Sequence, residues 1–315
     1  MDRLKALLRD HPIIPLLVLL ALLVGILEIM RPGIVGERWI ANTVKFAIPL
    51  AMLAACQTLT MLTGGIDLSA AIVATISSFV MATLVPFYGP AGAIALSLVP
   101  AVLIGLLNGI GVGFFRVHPL IITLGSGLIG TGCLQVYQST VIATGSVVPD
   151  GLAWLGTGRT WGFPNALVLF VPFAALILFA QRRTGFGRLL YAMGDNEGAA
   201  RLAGVRGWQV HLALYALSGL IAGMAGLVYV GLIKAPSLSL AVPLMLPSVA
   251  AAVIGGTSIF GGRGGYAGTI VGALILTVLG TMLTLLHMPE GARRILFGGI
   301  ILGVAAIHLR LTDTR

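Results

Sequence analysis

Asp67 is the one carboxylate in this sequence flanked by long apolar runs on both sides, and no lysine or arginine stands at helical spacing to pair with it. It sits in Leu62-Thr63-Gly64-Gly65-Ile66-Asp67-Leu68-Ser69, where two glycines interrupt the apolar pattern. Asp67 and Ser69 can accept the free N–H groups of a following helix. The segment is either a tight capped turn or a broken helix on a permeation path, where unpaired backbone is tolerated only against water or protein. Other groupings with chemical potential are weak or missing. There is no GxxxxGK(S/T) phosphate loop, no HExxH and no CxxC. Gly125-Ser126-Gly127 superficially suggests a serine protease, but His11, His118, His211, His287 and His308 all fall at the ends of apolar runs, where a neutral polar ring is ordinary. Gly109, Gly111 and Gly113 lie in an apolar run without strand pattern, which reads as helix packing rather than dinucleotide binding.

The elements that must position these residues follow from composition. Of 315 residues, 58% are hydrophobic and 9% charged, with a mean hydropathy of +1.05; soluble domains carry roughly 25% charged residues. A chain this apolar cannot cover a folded surface with polar groups, so a water-soluble enzyme is excluded. Cys56 and Cys133 both lie within apolar stretches and read as small core residues. With about 20 apolar residues needed per crossing, ten spans are expected, near 12–30, 41–62, 67–88, 91–114, 118–138, 164–180, 210–232, 244–260, 266–286 and 291–309. The first is too long for a signal-peptide core, carries Glu28 near its end and lacks a small-residue cleavage site, so it reads as retained. The expectation is an all-α polytopic membrane protein, one transmembrane domain over 1–315, with glycine-rich breaks.

Placing both termini in the cytoplasm puts twelve basic residues in inside segments, among them Arg3, Lys5, Arg116, Arg182, Arg183, Arg188 and Arg263, and seven outside, among them Arg31, Arg38, Arg159, Lys234 and Arg293. That asymmetry favours this orientation. It accounts for the net charge of +9 without nucleic acid, since no aromatic-interleaved basic face accompanies it. Buried ionisable groups are too sparse for a typical ion-driven carrier and favour a pore whose energy comes from elsewhere.

Two loops stand out. The outer stretch 139–163, with Trp154 and Trp161, is either a docking surface for an external partner or a membrane-lying connector. The inner stretch 181–209 carries five arginines and is the only sizeable cytoplasmic loop. Within it Asp195 or Asn196 can N-cap a short helix that Gly204 ends, presenting Ala199, Ala200, Leu202 and Ala203 as a surface of little bulk. Such a surface suits docking into a groove on another protein; an interfacial amphipathic helix is the alternative. A third segment, Ala250–Gly265, holds six glycines that make an unbroken helix unlike its composition and echoes the break at Thr63–Ser69.

These segments together resemble the membrane permease of bacterial ABC importers of the ribose type, a family related to the branched-chain amino acid permeases. The resemblance is carried, in the family's order, by TGGIDLS at 63–69, Asn108-Gly109 followed by Pro119–Gly125, RTGFGRLLYAMGDNEGAARLAGV at 183–205, Tyr215 with Ser218-Gly219, and AAVIGGTSIFGGRG at 251–264. It implies a ten-helix permease in the bacterial inner membrane, paired with a second identical or homologous permease. Two cytoplasmic ATP-binding cassette subunits, or one fused tandem ATPase, would drive it with ATP and Mg, and an external sugar-binding protein would deliver the solute. This chain would bind no cofactor itself. Asn196, Glu197, Ala199, Ala200, Arg201, Leu202, Ala203 and Gly204 match the segment that docks on the ATPase.

Three positions depart from the family's pattern: Ser69-Ala70-Ala71 where SVG is common, Thr131-Gly132 where Arg-Gly is usual, and Pro247-Ser248 where many relatives carry an acidic residue. The missing carboxylate makes direct transfer of the best-known sugars unsafe and fits a pair of permeases that have diverged, while a monosaccharide or sugar-like molecule stays the expected solute class. Gln57, Gly64, Gly65, Asp67, Ser69, Asn108, Thr123 and Ser126 are candidates for a translocation path. With Thr58 and Thr60 they would suit a neutral polyhydroxy solute, although such groups serve equally as interhelical hydrogen bonds. The competing readings are a branched-chain amino acid or nucleoside permease, a secondary carrier, and an intramembrane enzyme.

Overall fold

In the computed structural model the described residues are 13–141, 145–289, 291–296, 298–300 and 302–303. The elements are α1 (Ile13–Met30), α2 (Glu37–Met61), α3 (Ala70–Gly113), α4 (Pro119–Val141), α5 (Asp150–Thr157), β1 (Arg159–Thr160), β2 (Phe163–Pro164), α6 (Ala166–Arg183), α7 (Gly185–Asp195), α8 (Glu197–Leu202), α9 (Gly207–Ile233), α10 (Met245–Ile254) and α11 (Tyr266–Leu285). Seven of these helices are long and apolar enough to cross a membrane. Further helical residues lie at 291–296, 298–300 and 302–303, and the rest of the expected span 291–309 lies outside the described residues. The protein is an all-α polytopic membrane protein apart from β1 and β2, a two-residue antiparallel ladder.

α3, at 44 residues, is a folded hairpin rather than one rod. Gly89 takes φ +69°, outside helical space, immediately before Pro90, which cannot supply a helical N–H. The two arms return alongside each other: Asn108 Nδ2 donates to Ser69 Oγ at 2.9 Å, and Ser77 and Ser97 face each other at 3.4 Å. The expected spans 67–88 and 91–114 are these arms, except that the first begins at Ala70, after the break. α9 packs along the hairpin through glycines. A Cβ at Gly109 would lie 2.7 Å from the Leu212 backbone, one at Gly113 2.9 Å from that of Trp208, and one at Gly105 would collide with the Tyr215 carbonyl. Small residues thus bring the two backbones into contact, which is the packing role expected for Gly109 and Gly113.

One expected span, 244–260, is helical over only part of its length. The run 244–260 forms only the ten-residue α10, preceded by a 3-10 turn at Val242–Leu244 and followed by a glycine loop. Ten helical residues rise about 15 Å, half of a hydrocarbon core. Pro247 through Val253 are all buried, so the apolar run answers to protein rather than lipid. Cys133 is also corrected: it is exposed, whereas Cys56 is fully buried. α1 packs on α11 and buries only Leu27. α2 is the central element, with its last fifteen residues, 47–61, all buried. It is tied to α11 by Thr58 and Thr269 hydroxyls 2.7 Å apart and by Tyr266 Oη donating to Ala51 O at 3.1 Å.

Candidate functional site

The three glycine-bearing segments meet at one end of the bundle, here the proximal end. The Gly262 N–H donates to the Leu62 carbonyl at 3.0 Å, joining the loop after α10 to the break after α2. Gly194, in the last turn of α7, is wedged against both: a Cβ there would collide with Leu62 O and sit 2.5 Å from Gly262 N. Tyr191, one turn earlier, donates its phenol to Gly264 O at 2.8 Å. Partial burial pushes the Tyr191 phenol above its ordinary pKa, with nearby Arg182 opposing the shift.

Beneath this junction the break 62–69 is held by a buried polar knot. Gln57, on the last turns of α2, grips the Asp67 backbone in both directions: Nε2 donates to Asp67 O at 2.7 Å, and Oε1 accepts from Asp67 N at 3.2 Å. Asp67 Oδ1 accepts from Ser69 N at 3.0 Å and Ser69 Oγ at 2.6 Å, while Oδ2 accepts from Ser218 Oγ of α9 at 2.6 Å. Asn108 reaches Ser69, and Thr123 of α4 donates to Ile66 O at 3.2 Å and accepts from Leu68 N at 3.1 Å. Asp67 therefore has hydroxyl partners in place of a cation. Gly65 is packed so tightly that a Cβ would lie 2.8 Å from Tyr215 Oη.

Of the expected path residues, Gln57, Asp67, Ser69, Asn108 and Thr123 are brought into one network, each at most 2% exposed. Gly65 is buried beside it and Gly64, φ +77°, is exposed against Phe260. Ser126 stands apart, donating to Thr123 O at 3.2 Å and lining an apolar cavity. Ser218 was not among the expected site residues: it lies 151 positions from Asp67, a separation that no local pattern reveals.

α7 and α8 form the stretch expected to dock on a partner. Asn196 is the N-cap, its Oδ1 accepting from Ala199 N at 2.9 Å, and Gly204 closes the helix at φ +87° as Val205 N donates to Ala200 O at 3.0 Å. Glu197 and Arg201 pair at 2.8 Å on the exposed face. Leu202 is 92% exposed, and Glu197, Ala199, Ala203 and Gly204 are exposed with it. Ala200 is a correction to the outward surface: it is 7% exposed and packs into the core.

At the opposite, distal end, α5 and the β1–β2 turn fold over the start of α2. Lys45 Nζ donates to Thr157 O, and Arg159 Nη2 donates to Arg38 O and Asn42 Oδ1, both at 2.9 Å. Trp154 and Trp161 are exposed on this cap, Trp161 almost fully. Under it lies a second feature that the sequence reading missed, a cavity of about 590 Å³ whose walls include Trp39, Asn42, Thr277, Thr281, Thr284 and Arg293. Thr277, Thr281 and Thr284 recur at helical spacing on one face of α11, the signal that could have found it. Among the described residues no group of three His, Cys, Asp or Glu side chains could hold a metal.

Residues 39–305 match the family described as branched-chain amino acid transport system, permease component. The chain is 32% identical to the ribose import permease of Escherichia coli K12 over 290 residues, covering 91% of this chain and 90% of that one. It is 32% identical to the fructose import permease of Rhizobium meliloti over 300 residues, covering 91% and 83%. It is 33% identical to the galactofuranose transporter permease of Escherichia coli K12 over 265 residues, covering 83% and 77%. No solved structure matches the chain.

Proposed function

Because this chain belongs to the permease family of branched-chain amino acid transport systems, and its relatives are import permeases for ribose, fructose and galactofuranose, we propose that it is the membrane-spanning permease subunit of a sugar-importing ABC transporter. It is a transport subunit and not an enzyme. ATP and Mg are bound by a pair of partner ATP-binding cassette subunits, or one fused tandem ATPase. A second permease, identical or homologous, completes the path, and an external sugar-binding protein supplies the solute. The location is the bacterial inner membrane, the proximal end facing the cytoplasm with both termini. Ten crossings follow if each arm of α3 counts as one, α10 with its flanking loops as one, and 291–309 as the last.

The observation that carries the mechanism is the junction of Gly194, Leu62 and Gly262. α8, between 196 and 204 in the loop 181–209, offers the ATPase its exposed face, with Leu202 foremost and Glu197, Ala199, Arg201 and Ala203 around it. Asn196 and Gly204 fix its ends, and Ala200 anchors it to the core. A push on α8 passes to α7, and Gly194 and Tyr191 deliver it to both glycine loops at once. The knot formed by Gln57, Asp67, Ser69, Asn108 and Thr123, with Gly64, Gly65 and Ser126 beside it, is then the inner gate of the path. An ATPase that binds one arrangement of this junction better than the other shifts the inward/outward equilibrium by that difference in affinity.

The test is gentle purification from the native membrane with uptake measured in vesicles. An ATPase should co-purify, and uptake should need ATP. A chain that came out alone and still transported without ATP would mark a secondary carrier instead. Arg201→Glu should abolish ATP-driven uptake while leaving the fold nearly unchanged, since an exposed i,i+4 pair contributes only about 0.3–0.5 kcal/mol. Normal uptake by that variant would remove the coupling role from α8.

A further inference from the structure

The distal cavity lies between the first half of α2, Tyr229 of α9, the start of α10 and the second half of α11, with Arg293 on its wall. Its volume of about 590 Å³ falls in the range of small-molecule sites, roughly 300–1,000 Å³. Its lining is mostly apolar, with Leu50, Pro247 and Leu276 among the walls, and carries a few polar groups in specific places. Thr277, Thr281 and Thr284 each spend the hydroxyl hydrogen on their own helix, donating to Ala273 O, Thr277 O and Gly280 O at 2.8, 3.1 and 2.8 Å. Their oxygens are left to accept. Trp39 Nε1 and Arg293 Nε are buried donors without a hydrogen-bond partner among the described residues. The same walls include the aromatic side chains of Trp39, Phe46 and Tyr229. Acceptors, donors and flat apolar faces together match a polyol, which donates and accepts through its hydroxyls and stacks through its C–H faces.

A second cavity provides the contrast. Between the α3 hairpin and α4 lies a space of about 410 Å³ walled by Ile, Val, Leu and Pro side chains. It has only two hydroxyls, Ser126 and Tyr137, bonded to Thr123 O and to Thr83 Oγ1, and no nitrogen donor side chain on its walls. That space suits an acyl chain. Among the described residues the walls of the distal cavity carry no Asp or Glu.

We propose that the distal cavity is a binding station for a neutral polyhydroxy solute of monosaccharide size, held within one protomer on the outer side of the Asp67 knot. The proposal rests on the transporter reading and gives that path a location and a chemistry. Arg293 and Trp39 donate to ring or hydroxyl oxygens, the α11 threonines accept, and the aromatic faces exclude water from the C–H side.

The experiment uses the intact complex in vesicles, with Thr281→Cys in a Cys133→Ala background and, separately, the native chain, whose Cys133 lines the apolar cavity. A charged, membrane-impermeant methanethiosulfonate is added from either side. Thr281→Cys should react from the binding-protein side alone, and native Cys133 only with a lipid-soluble maleimide. A panel of pentoses, hexoses and their alditols is then tested for protection beside leucine. At least one sugar should slow labelling of Thr281→Cys, by about three-fold at twice its Kd, and leucine should not. No reaction at Thr281→Cys, reaction only with the lipid-soluble reagent, or reaction from the ATPase side would overturn the site. Protection by leucine alone, or by no sugar, would overturn its chemistry. ATP-driven uptake by the native complex is measured in the same vesicles, and its absence counts against the transporter reading whatever the labelling shows.

Discussion

The two ends of this bundle are built by opposite rules. At the proximal end glycines remove side chains so that backbone meets backbone, and both Asp67 carboxylate oxygens are used internally. Gln57, Asp67, Ser69, Asn108 and Thr123 are bonded into one network with Ser218 that leaves only Asn108 Oδ1 and the neighbouring Tyr215 Oη without partners among the described residues. At the distal end side chains stand apart around an open volume, and Trp39 Nε1 and Arg293 Nε are buried donors without a hydrogen-bond partner among the described residues. Dense backbone contact transmits displacement because it cannot be compressed. A mostly apolar cavity with a few convergent polar groups is the usual form of a small-molecule site. The proposed roles, movement at the proximal end and recognition at the distal one, rest on this contrast.

The largest expected effect comes from filling the proximal contact. Gly194→Ala places a Cβ into Leu62 O and against Gly262 N, where neither neighbour is a flexible side chain. The cost should reach the upper end of the roughly 1–3 kcal/mol seen for overpacking, with ATP-driven uptake lost. Gly280→Ala, at a distal helical glycine with nothing within 4 Å of the new Cβ, should instead hold or raise the melting temperature, since alanine gains up to about 1 kcal/mol over glycine in a helix. Equal melting temperatures for the two variants would erase the distinction between the ends.

The next effect is smaller and tests whether the knot acts as a unit. Ser218→Ala removes the 2.6 Å donor to Asp67 Oδ2 and leaves a buried carboxyl oxygen unbonded. It should cost about 1–3 kcal/mol by thermal unfolding. Ser77→Ala, which deletes only the 3.4 Å contact with Ser97 inside the hairpin, should stay within about 0.5 kcal/mol. If the two variants melted together, the knot would be no stronger than an ordinary interhelical pair.

What was legible in the sequence was what local chemistry decides. The Gly64-Gly65 break, the Asn196 cap, the left-handed Gly204 and the turn between the arms of α3 all depend on residues within a few positions of each other. The proximal site could therefore be read as three segments, though not as one junction, since the Leu62–Gly262 and Asp67–Ser218 contacts join residues far apart in the chain. The helix in 244–260 was read as too long because an apolar run buried in protein looks the same as one facing lipid; the burial from Pro247 to Val253 separates the two. The distal cavity went unread for the same reason as Ser218, since its walls come from α2, α9, α10 and α11. Its one local trace was the threonine stripe of α11.

The smallest expected effect sharpens the comparison between the two cavities. Cys133→Leu adds apolar bulk to the space between α3 and α4, whose neighbours there include Ile129 and Leu103. Cys133 is exposed, and the walls of its cavity are almost wholly apolar, with Ser126 and Tyr137 the two hydroxyls. Uptake should stay within about two-fold of the native rate, a barrier change below roughly 0.5 kcal/mol. A large loss of uptake from Cys133→Leu, with the complex still assembled, would place the solute on the apolar side of the hairpin. Polarity of lining would then no longer distinguish path from packing, and the assignment of recognition to the distal end would fall with it.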